Sequence, residues 1–261
     1  MRKMISVVLA ILPGCMMEVH EGNGVSATDV RDVGAFDAVV NTTELDVAIT
    51  DGPTSAAAVI CDENLLEDVV LEVNDGELSV EIGEKEDRWI QLAPETDCGV
   101  ELVVPSLTAL TATGSGGVRV ESEVGFALAD IELTGSGDVE VDAPLWPEHL
   151  EASATGSGDL HLSQVEAVEA GFSLTGSGDL KVDQGAIDRL DVSATGSGDS
   201  KLEGLESRSA HVSLTGSGDA EVRATEAIEA SLTGSGDLTV WGAPAERDVA
   251  STGSGDVNYA E

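Results

Sequence analysis

Aspartates recur at a fixed place after a glycine-rich triplet, and they are the residues whose spacing most suggests chemistry. The triplet Gly-Ser-Gly is preceded by Thr and, in every copy except the first, followed by Asp. These aspartates are Asp138, Asp159, Asp179, Asp199, Asp219, Asp237 and Asp256. Carboxylates beside hydroxyls and carbonyls suit hard cations such as Ca²⁺, so these residues are candidate metal ligands. In the alternative interpretation, each Asp accepts backbone N–H groups in its own turn and solvent screens the remaining charge.

The same units carry hydroxyl side chains at matching positions. One predicted row is Thr155, Thr175, Thr195, Thr215 and Thr233, and a second is Ser157, Ser177, Ser197, Ser217 and Ser235. A flat hydroxyl array would suit an ordered surface such as ice or a crystalline polysaccharide. In the alternative interpretation, Thr and Ser simply favour exposed strands and bond along their own rows.

Motifs for catalysis are absent from the sequence. The four histidines are scattered, and no phosphate loop, nucleophile elbow or zinc-protease motif is present. Acidic residues are so frequent that no pair of them indicates a glycosidase. A polysaccharide-acting enzyme needs a basic residue beside the sugar, and the strands of the repeats offer Arg119, Lys181 and Lys201. We therefore expect no catalytic residue and no cofactor.

The charge of the chain limits its partners. It has 50 acidic and 12 basic residues, for a formal net charge of −38. Nucleic acids and anionic lipid surfaces both require Lys and Arg, so this composition argues against either partner. It suits a soluble, strongly hydrated surface.

Residues 1–14 look like an export signal, with a positive start followed by an apolar run too short to span a bilayer. The motif Leu12-Pro13-Gly14-Cys15 resembles a lipobox, in which the chain is cut before Cys15 and that thiol is lipidated. Pro13 differs from the small or aliphatic residue usual there, and the alternative is an ordinary secretory signal. We predict a lipid anchor on Cys15 as the only membrane contact. By analogy with lipoprotein sorting, Met16 in place of Asp favours the outer membrane of the cell envelope.

Two further cysteines remain, Cys61 and Cys98. In an exported chain they permit one disulfide, and the alternative is a pair of buried thiols. They cannot form a structural zinc site by themselves.

The repeat that carries the aspartates predicts the fold. Successive triplets start 18 to 21 residues apart, at Gly114, Gly135, Gly156, Gly176, Gly196, Gly216, Gly234 and Gly253. Within one unit, Leu150, Ala152 and Ala154 alternate with Glu151 and Ser153, which is the period of a β-strand. About twenty residues is too short for a βαβ unit but fits one coil of a β-helix. We therefore predict an all-β fold, a right-handed parallel β-helix whose inward glycines let the chain bend or its cross-section narrow.

The N-terminal part alternates in the same way but lacks the triplet. We predict irregular coils over residues 34–105 that start and cap the stack, followed by the repeats over 106–261, as one β-helix domain from 34 to 261. Residues 15–33 show no pattern and are predicted to be a flexible tether.

The chain resembles the family called putative auto-transporter adhesin, head GIN domain, over roughly residues 33–261. The similarity includes the repeated Gly-Ser-Gly-Asp array and several short segments. These segments are Phe36-Asp37, Asp62-Glu63-Asn64-Leu65, Asp75-Gly76-Glu77-Leu78-Ser79-Val80, Val104-Pro105-Ser106-Leu107 and Val257-Asn258-Tyr259. The resemblance implies a β-helical fold in the bacterial envelope. The chain departs from the repeat at Gly117, which stands where later copies have Asp.

These observations predict a non-catalytic envelope lipoprotein, a scaffold or adhesion module that makes weak, repeated contacts with an envelope or surface partner. The first alternative is a Ca²⁺-dependent binder of surface polysaccharide or protein, and the second is a polysaccharide-acting β-helix enzyme. A uniform outer face would favour the scaffold, whereas a groove of unlike coils with a basic residue beside carboxylates would favour the enzyme. Exposed end coils also invite homo-oligomers.

Overall fold

The computed structural model describes residues 8–10, 16–83 and 89–260. Strand makes up 67% of the chain, and the stacked parallel coils form a β-solenoid of about 8 turns, which confirms the predicted fold class. Cys15, the predicted lipidation site, lies outside the described residues, as does most of the predicted signal peptide. The part of the chain that the structure describes contains no helix long and apolar enough to cross a membrane.

The N-terminal region contributes ten strands and one turn of 3-10 helix, Leu66–Asp68. The strands are β1 (Val8–Ala10), β2 (Met16–Glu21), β3 (Ser26–Arg31), β4 (Ala38–Asn41), β5 (Asp46–Asp51), β6 (Ala56–Asp62), β7 (Val69–Asn74), β8 (Glu77–Ile82), β9 (Trp89–Ala93) and β10 (Gly99–Val104). β1, β2 and β9 form a small separate sheet, and the other strands belong to one 20-stranded sheet.

The repeats contribute the remaining strands. They are β11 (Ala109–Ala112), β12 (Val118–Glu121), β13 (Asp130–Gly135), β14 (Val139–Leu145), β15 (His149–Gly156), β16 (Leu160–Glu166), β17 (Glu169–Gly176), β18 (Leu180–Gly196), β19 (Ser200–Gly216), β20 (Ala220–Gly234), β21 (Leu238–Trp241), β22 (Glu246–Gly253) and β23 (Val257–Ala260). Each pairs in parallel with the equivalent strand of the next coil, so that β13 pairs with β15 and β15 pairs with β17. Thr134, Thr155 and Thr175 are thereby in register, as the repeat predicts.

Aliphatic side chains at alternate positions form the core. Leu150, Leu160 and Leu162 are at most 1% exposed, and the intervening side chains face outward. A coil cannot bury this apolar side by itself, so each coil is stabilised by its two neighbours.

The triplet glycines are required by the close approach of successive coils. A Cβ on Gly178 would overlap the carbonyl oxygen of Gly158 one coil earlier, and one on Gly176 would overlap that of Gly156. Gly176 also has a φ of 134°, which a residue with a side chain rarely adopts. The inward glycines therefore do more than allow bending, because the backbone of the neighbouring coil occupies the space of the missing side chain.

The N-terminal coils differ from the prediction in strand direction. β4 and β5 pair in parallel with the first repeat strands, β11 and β12, and so start the stack. β3 pairs antiparallel with β6, however, and β7 pairs antiparallel with β8 across the turn at Asp75 and Gly76. The two-residue turn between β7 and β8 explains why they are antiparallel, since a short turn can join antiparallel strands whereas parallel strands need a longer crossover.

The structure corrects the prediction of a flexible tether over residues 15–33, because most of this segment forms strands. β2 pairs with β1 and β9, and β3 pairs with β6. His20 Nδ1 lies 2.5 Å from Asp68 Oδ2, and the Arg31 guanidinium donates to the carbonyl of Leu66 at 2.7 Å. β3 is only half-buried at alternate positions. The segment lacks a strong apolar pattern because backbone pairing and polar contacts, more than core packing, hold it.

Candidate functional site

The repeated aspartates form a hydrogen-bonded column along the outside of the solenoid. The Oδ1 atom of Asp138 accepts the backbone N–H of Asp159, and Asp159 accepts that of Asp179 in the same way. The series continues to Asp256, with N···O distances of 2.7 to 3.0 Å. The carboxylates do accept backbone N–H groups, but from the next coil and not within their own turn. We call this series the aspartate column.

The geometry of the column bears on the cation hypothesis. In every predicted aspartate except the last, Asp256, one carboxylate oxygen accepts a backbone N–H group from the next coil. The carboxylates also stack in a line, so they do not converge on one point. Among the described residues, no group of three or more His, Cys, Asp or Glu side chains is placed to hold a metal ion. Ca²⁺ binding by these seven aspartates stays a prediction for titration.

The structure adds one member to the column and shows one gap in it. Asp46 lies one coil before Gly117, and its Oδ1 accepts the Gly117 N–H at 2.8 Å. The repeat motif does not mark Asp46, because in the preceding segment 41–45 residues 43–45 stand in place of the triplet. In that segment Asn41 and Thr43 form buried hydrogen bonds that close the start of the glycine rows. The column therefore runs from Asp46 to Asp256 and lacks a carboxylate at Gly117.

A groove of about 510 Å³ lies at this gap. Its lining includes Gly99, Gly117 and Ala48, and because these residues are so small, the outer surface is recessed there. Arg119 stands at one wall, with carboxylates around it. The groove marks the junction between the N-terminal coils and the repeats. The departure at Gly117 is visible in the sequence, whereas the cavity beside it appears only in the structure.

The wall of the groove that contains Asp97 and Cys98 is held to the core by a disulfide and by hydrogen bonds to a buried carboxylate. Cys98 forms a disulfide with Cys61. The buried Asp62 carboxylate accepts the backbone N–H groups of Gly24 at 2.6 Å and Glu95 at 2.9 Å. Burial by itself raises the pKa of Asp62, but the hydrogen bonds from Thr96, Glu95 and Gly24 outweigh it and lower the pKa below its ordinary value of 3.8.

Arg119 begins a second outward column, which also contains His161, Lys181 and Lys201, whereas Arg189, Arg208 and Arg223 lie on strands in other columns. Strand register stacks Arg119, Glu140, His161, Lys181 and Lys201 in consecutive coils. Arg119 pairs with Glu140 and, at 3.0 Å, with the Asp142 carboxylate. His161 and His211 lie in different columns, as expected, since His211 is in register with Asp191.

The two lysines of this column are held by carboxylates. Lys181 Nζ lies 2.7 Å from Asp183, and this hydrogen bond is the main reason that the pKa of Asp183 is lowered; burial opposes it and His161 adds to it. Burial lowers the pKa of Lys201, but the carboxylates of Asp179 and Asp199 outweigh that effect and raise it.

The groove has the composition that the enzyme alternative requires, with Arg119 beside carboxylates among unlike coils. Most of these groups are already engaged: Asp46 and Asp138 accept backbone N–H groups, and Glu140 pairs with Arg119. The arrangement holds these three carboxylates in place, while Asp97 and Glu101 also line the groove.

Hydroxyl side chains fill the outward positions that precede the aspartate column. Register confirms the Thr row, which runs from Thr134 to Thr252. It also reveals a row that we did not predict, comprising Ser153, Ser173, Ser193, Ser213 and Ser231. This row could have been found, because Ser stands three residues before the triplet in five copies.

These hydroxyls face solvent without partners on the protein. Within the described chain, neither the Thr row nor the newly found Ser row makes a side-chain hydrogen bond. The only bond along a hydroxyl row joins Ser254 to Ser235 at 3.2 Å, in the row of triplet serines. The alternative that the hydroxyls bond along their own rows therefore fails for most of them. We call the rows through Ser153, Thr155 and Ser157 the hydroxyl face; it extends over five coils with no charged side chain.

Solved structures show the same fold. One described as a putative lipid binding protein from Parabacteroides distasonis is 25% identical, covers 93% of this chain and 100% of its own, and has a TM-score of 0.82. One described as a putative adhesin from Parabacteroides merdae is 20% identical, with 93% and 99% coverage and a TM-score of 0.82. A comparison with curated proteins finds no match.

A family model provides the more specific comparison. The model described as putative auto-transporter adhesin, head GIN domain, matches residues 35–142 and 126–244. The two matches together span most of the β-solenoid, including the groove, the hydroxyl face and the aspartate column as far as Asp237. The chain therefore belongs to the putative auto-transporter adhesin, head GIN domain family.

Proposed function

We propose that the protein is a non-catalytic binding module of the bacterial cell envelope that contacts an envelope or surface partner through its hydroxyl face. The observation that carries this proposal is the repetition of unpartnered Ser and Thr hydroxyls, in register, over five coils. Each hydroxyl is a donor and an acceptor, so the face can make many weak hydrogen bonds to a polyhydroxylated or otherwise polar ligand. Repetition on a rigid scaffold gains affinity through multivalency.

The charge pattern supports the choice of this face. The three hydroxyl rows themselves carry no carboxylate in the five coils, so a neutral ligand that stays on these rows buries no charge there. The aspartate column lies two residues beyond the Ser157 row, and Glu151, Asp191 and Glu229 lie two residues before the Ser153 row, so the ligand must fit between two columns of charge. The name of the Parabacteroides merdae relative supports an adhesive role. We further propose attachment to the outer membrane through a lipid on Cys15, which a Cys15→Ser variant would test by its release from the membrane fraction.

The test is co-sedimentation of the full chain with isolated bacterial envelopes and with purified peptidoglycan sacculi. A Thr175→Glu/Thr195→Glu variant places two charges on the hydroxyl face in adjacent coils. The matched control, Gln164→Glu/Gln184→Glu, places two charges in adjacent coils at another outward column. We expect the bound fraction to fall at least several-fold for the Thr variant only. Equal losses in both variants, or no binding by the parent chain, would contradict the proposal.

A further inference from the structure

We propose that the groove at Gly117 binds a basic segment of a partner protein, with a lysine or arginine side chain lying along its floor. This groove is separate from the hydroxyl face. Three observations support the proposal, namely an apolar floor, a rim of carboxylates that have no cation partner, and an extent too large for a small ion.

The floor of the groove is the outer surface of a sheet whose outward residues are small. β5 pairs in parallel with β10 on one side and with β12 on the other. Register places Gly99, Asp46 and Gly117 side by side in one outward column, with Ala48 in the next. The apolar residues that line the groove are Val47, Ile60, Val100 and Val118. Such a floor offers an apolar contact to the stem of a long side chain.

Packing does not require the glycine in the middle of this floor. A Cβ on Gly117 would lie 3.4 Å from Asp46 Oδ1 and 3.6 Å from the Asp138 carbonyl oxygen, which are ordinary contact distances. Its φ is not in the left-handed region. By contrast, a Cβ on Gly99 would lie only 2.9 Å from the Asp46 carbonyl oxygen. The recess at Gly117 therefore departs from the repeat without a packing reason, and broken local rules of this kind are typical of functional sites.

The rim of the groove carries an excess of negative charge. Five carboxylates and one guanidinium line it, those of Asp46, Asp97, Glu101, Asp138, Glu140 and Arg119. Arg119 is already paired with Glu140 and Asp142, and the other four carboxylates have no cation partner among the described residues. A cleft lined by one sign of charge concentrates groups of the opposite sign. The groove therefore favours a cationic group and opposes an anion.

The extent of the groove indicates a peptide and not a small ion. Its lining residues come from five adjacent strands, β6, β10, β5, β12 and β14. Strands lie about 4.8 Å apart, so the groove extends over roughly 19 Å, which about six residues of an extended peptide would span. Its volume of about 510 Å³ far exceeds the about 30 Å³ that a water-sized ion needs. Among the described residues, no three acidic side chains are placed to hold a metal ion.

Lysine and arginine side chains combine the two properties that the groove selects. Their stems are apolar, and their heads are charged and stay near water. A stem on the valine-lined floor would place its head among the carboxylates of Asp46, Glu101 and Asp138. Asp46 and Asp138 each use Oδ1 for a backbone N–H group, so their other oxygens remain available to a cation.

The test follows the amide signals of the ¹⁵N-labelled full chain during titration with the blocked peptide acetyl-Lys-Val-Lys-Val-Lys-amide. The same peptide with norleucine in place of lysine has the stems without the charge, and methylammonium has the charge without the stem. We expect saturable shifts of the Gly99 and Gly117 amide signals with the lysine peptide and a response at least several-fold weaker with either control. The amide of Asp219, four coils beyond Asp138 in the aspartate column, reports general attraction of cations and should not saturate with them.

Variants separate the rim and the floor from net charge. Asp97→Asn/Glu101→Gln removes two exposed rim carboxylates and should weaken peptide binding several-fold. The matched control, Glu166→Gln/Glu206→Gln, removes two exposed carboxylates from another outward column and should bind as the parent does. Ala48→Phe fills the floor from an exposed position and should weaken binding several-fold without lowering the Tm.

Four results would overturn the proposal. The glycine signals could fail to respond to the lysine peptide, or they could respond equally to the norleucine peptide. Saturation by methylammonium at similar concentrations would assign the groove to small cations, and equal losses in the rim variant and its control would reduce the effect to net charge. None of these results bears on the hydroxyl face, since envelope binding is measured separately with the Thr175→Glu/Thr195→Glu variant.

Discussion

At the scale of single residues, the backbone of one coil decides which side chains the next coil can carry. Gly178 faces the carbonyl oxygen of Gly158, so any side chain must push two coils apart. We expect Gly178→Ala to destabilise the protein by about 1–3 kcal/mol, the usual cost of overpacking, and to lower the Tm measured by circular dichroism. Gly117→Ala is the matched control and should melt close to the parent, because that Cβ meets only ordinary contacts. Equal melting of the Gly178 variant and the parent would show that the coils can separate freely.

Asp62 gives a second prediction at this scale, for pH. Its folded-state pKa is lowered, so its stabilising effect is present above its ordinary value of 3.8 and is lost as the pH falls through the lower folded-state pKa. We expect Asp62→Asn to be less stable than the parent in urea at neutral pH, with the gap closing below pH 3.8. Glu63→Gln, at the exposed neighbouring position, is the control. A gap that persists unchanged at the lowest pH would show that Asp62 acts by shape and not by charge.

How much of the site the sequence predicts depends on whether a residue is repeated. The seven aspartates and the Thr row are predictable because identical residues at constant spacing must stack in a parallel solenoid. Asp46 is not predictable, since it aligns with the column through strand register and not through a shared motif.

At the scale of elements, the direction of a strand is what the pattern fails to fix. Alternation with a period of two is the same in parallel and antiparallel strands, so β3 and β6 give no sign of their antiparallel pairing. The pairing of β7 with β8 is the exception, because the Asp75-Gly76 turn between them is a hairpin signal in the sequence. The repeats escape this ambiguity because equal spacing places equal strands in parallel. The Cys61–Cys98 disulfide then closes the irregular part beside the groove, joining β6 to the residue before β10.

The last coil, β22 to β23, ends the stack with polar residues at inward positions. Arg247 is in register with Ile228, and Ser251 with Leu232, which are core residues one coil earlier. The Arg247 guanidinium lies 4.0 Å from the centre of the Tyr259 ring and covers the end of the core. Terminal repeats with a polar outer face keep solenoids soluble, and an inward-pointing charge discourages stacking of two ends.

This coil therefore yields a prediction about assembly. We expect Arg247→Leu/Ser251→Leu to expose an apolar end and to form concentration-dependent oligomers, measured by size-exclusion chromatography with light scattering. Arg208→Leu, a surface arginine paired with Glu226 on the flank of the stack, is the control and should behave as the parent. A double variant with the mass of the parent at high concentration would show that the end is closed by something other than these two residues.

At the scale of the whole molecule, a net charge of −38 is spread over the outside of one continuous stack. The carboxylates of the aspartate column are about one strand spacing apart, roughly 4.8 Å, where like charges repel. Hydrogen bonds from the next coil hold each carboxylate but do not neutralise it. The repulsion therefore favours separation of the coils, and the apolar core opposes it, so the stability of the solenoid should depend strongly on screening.

Salt and calcium distinguish general screening from specific binding. Raising NaCl from about 0.01 M to 0.5 M shortens the Debye length from roughly 30 Å to a few ångströms, and we expect the Tm to rise by several degrees. Millimolar Ca²⁺ at matched ionic strength should add little, because each carboxylate below Asp256 already has one oxygen occupied and the described residues gather no three-ligand group. Mg²⁺ at the same concentration is the control for divalent charge alone. A large additional rise in Tm with Ca²⁺ and not with Mg²⁺ would instead assign the aspartate column to cation binding, since only a ligand bound to the folded state stabilises it beyond screening.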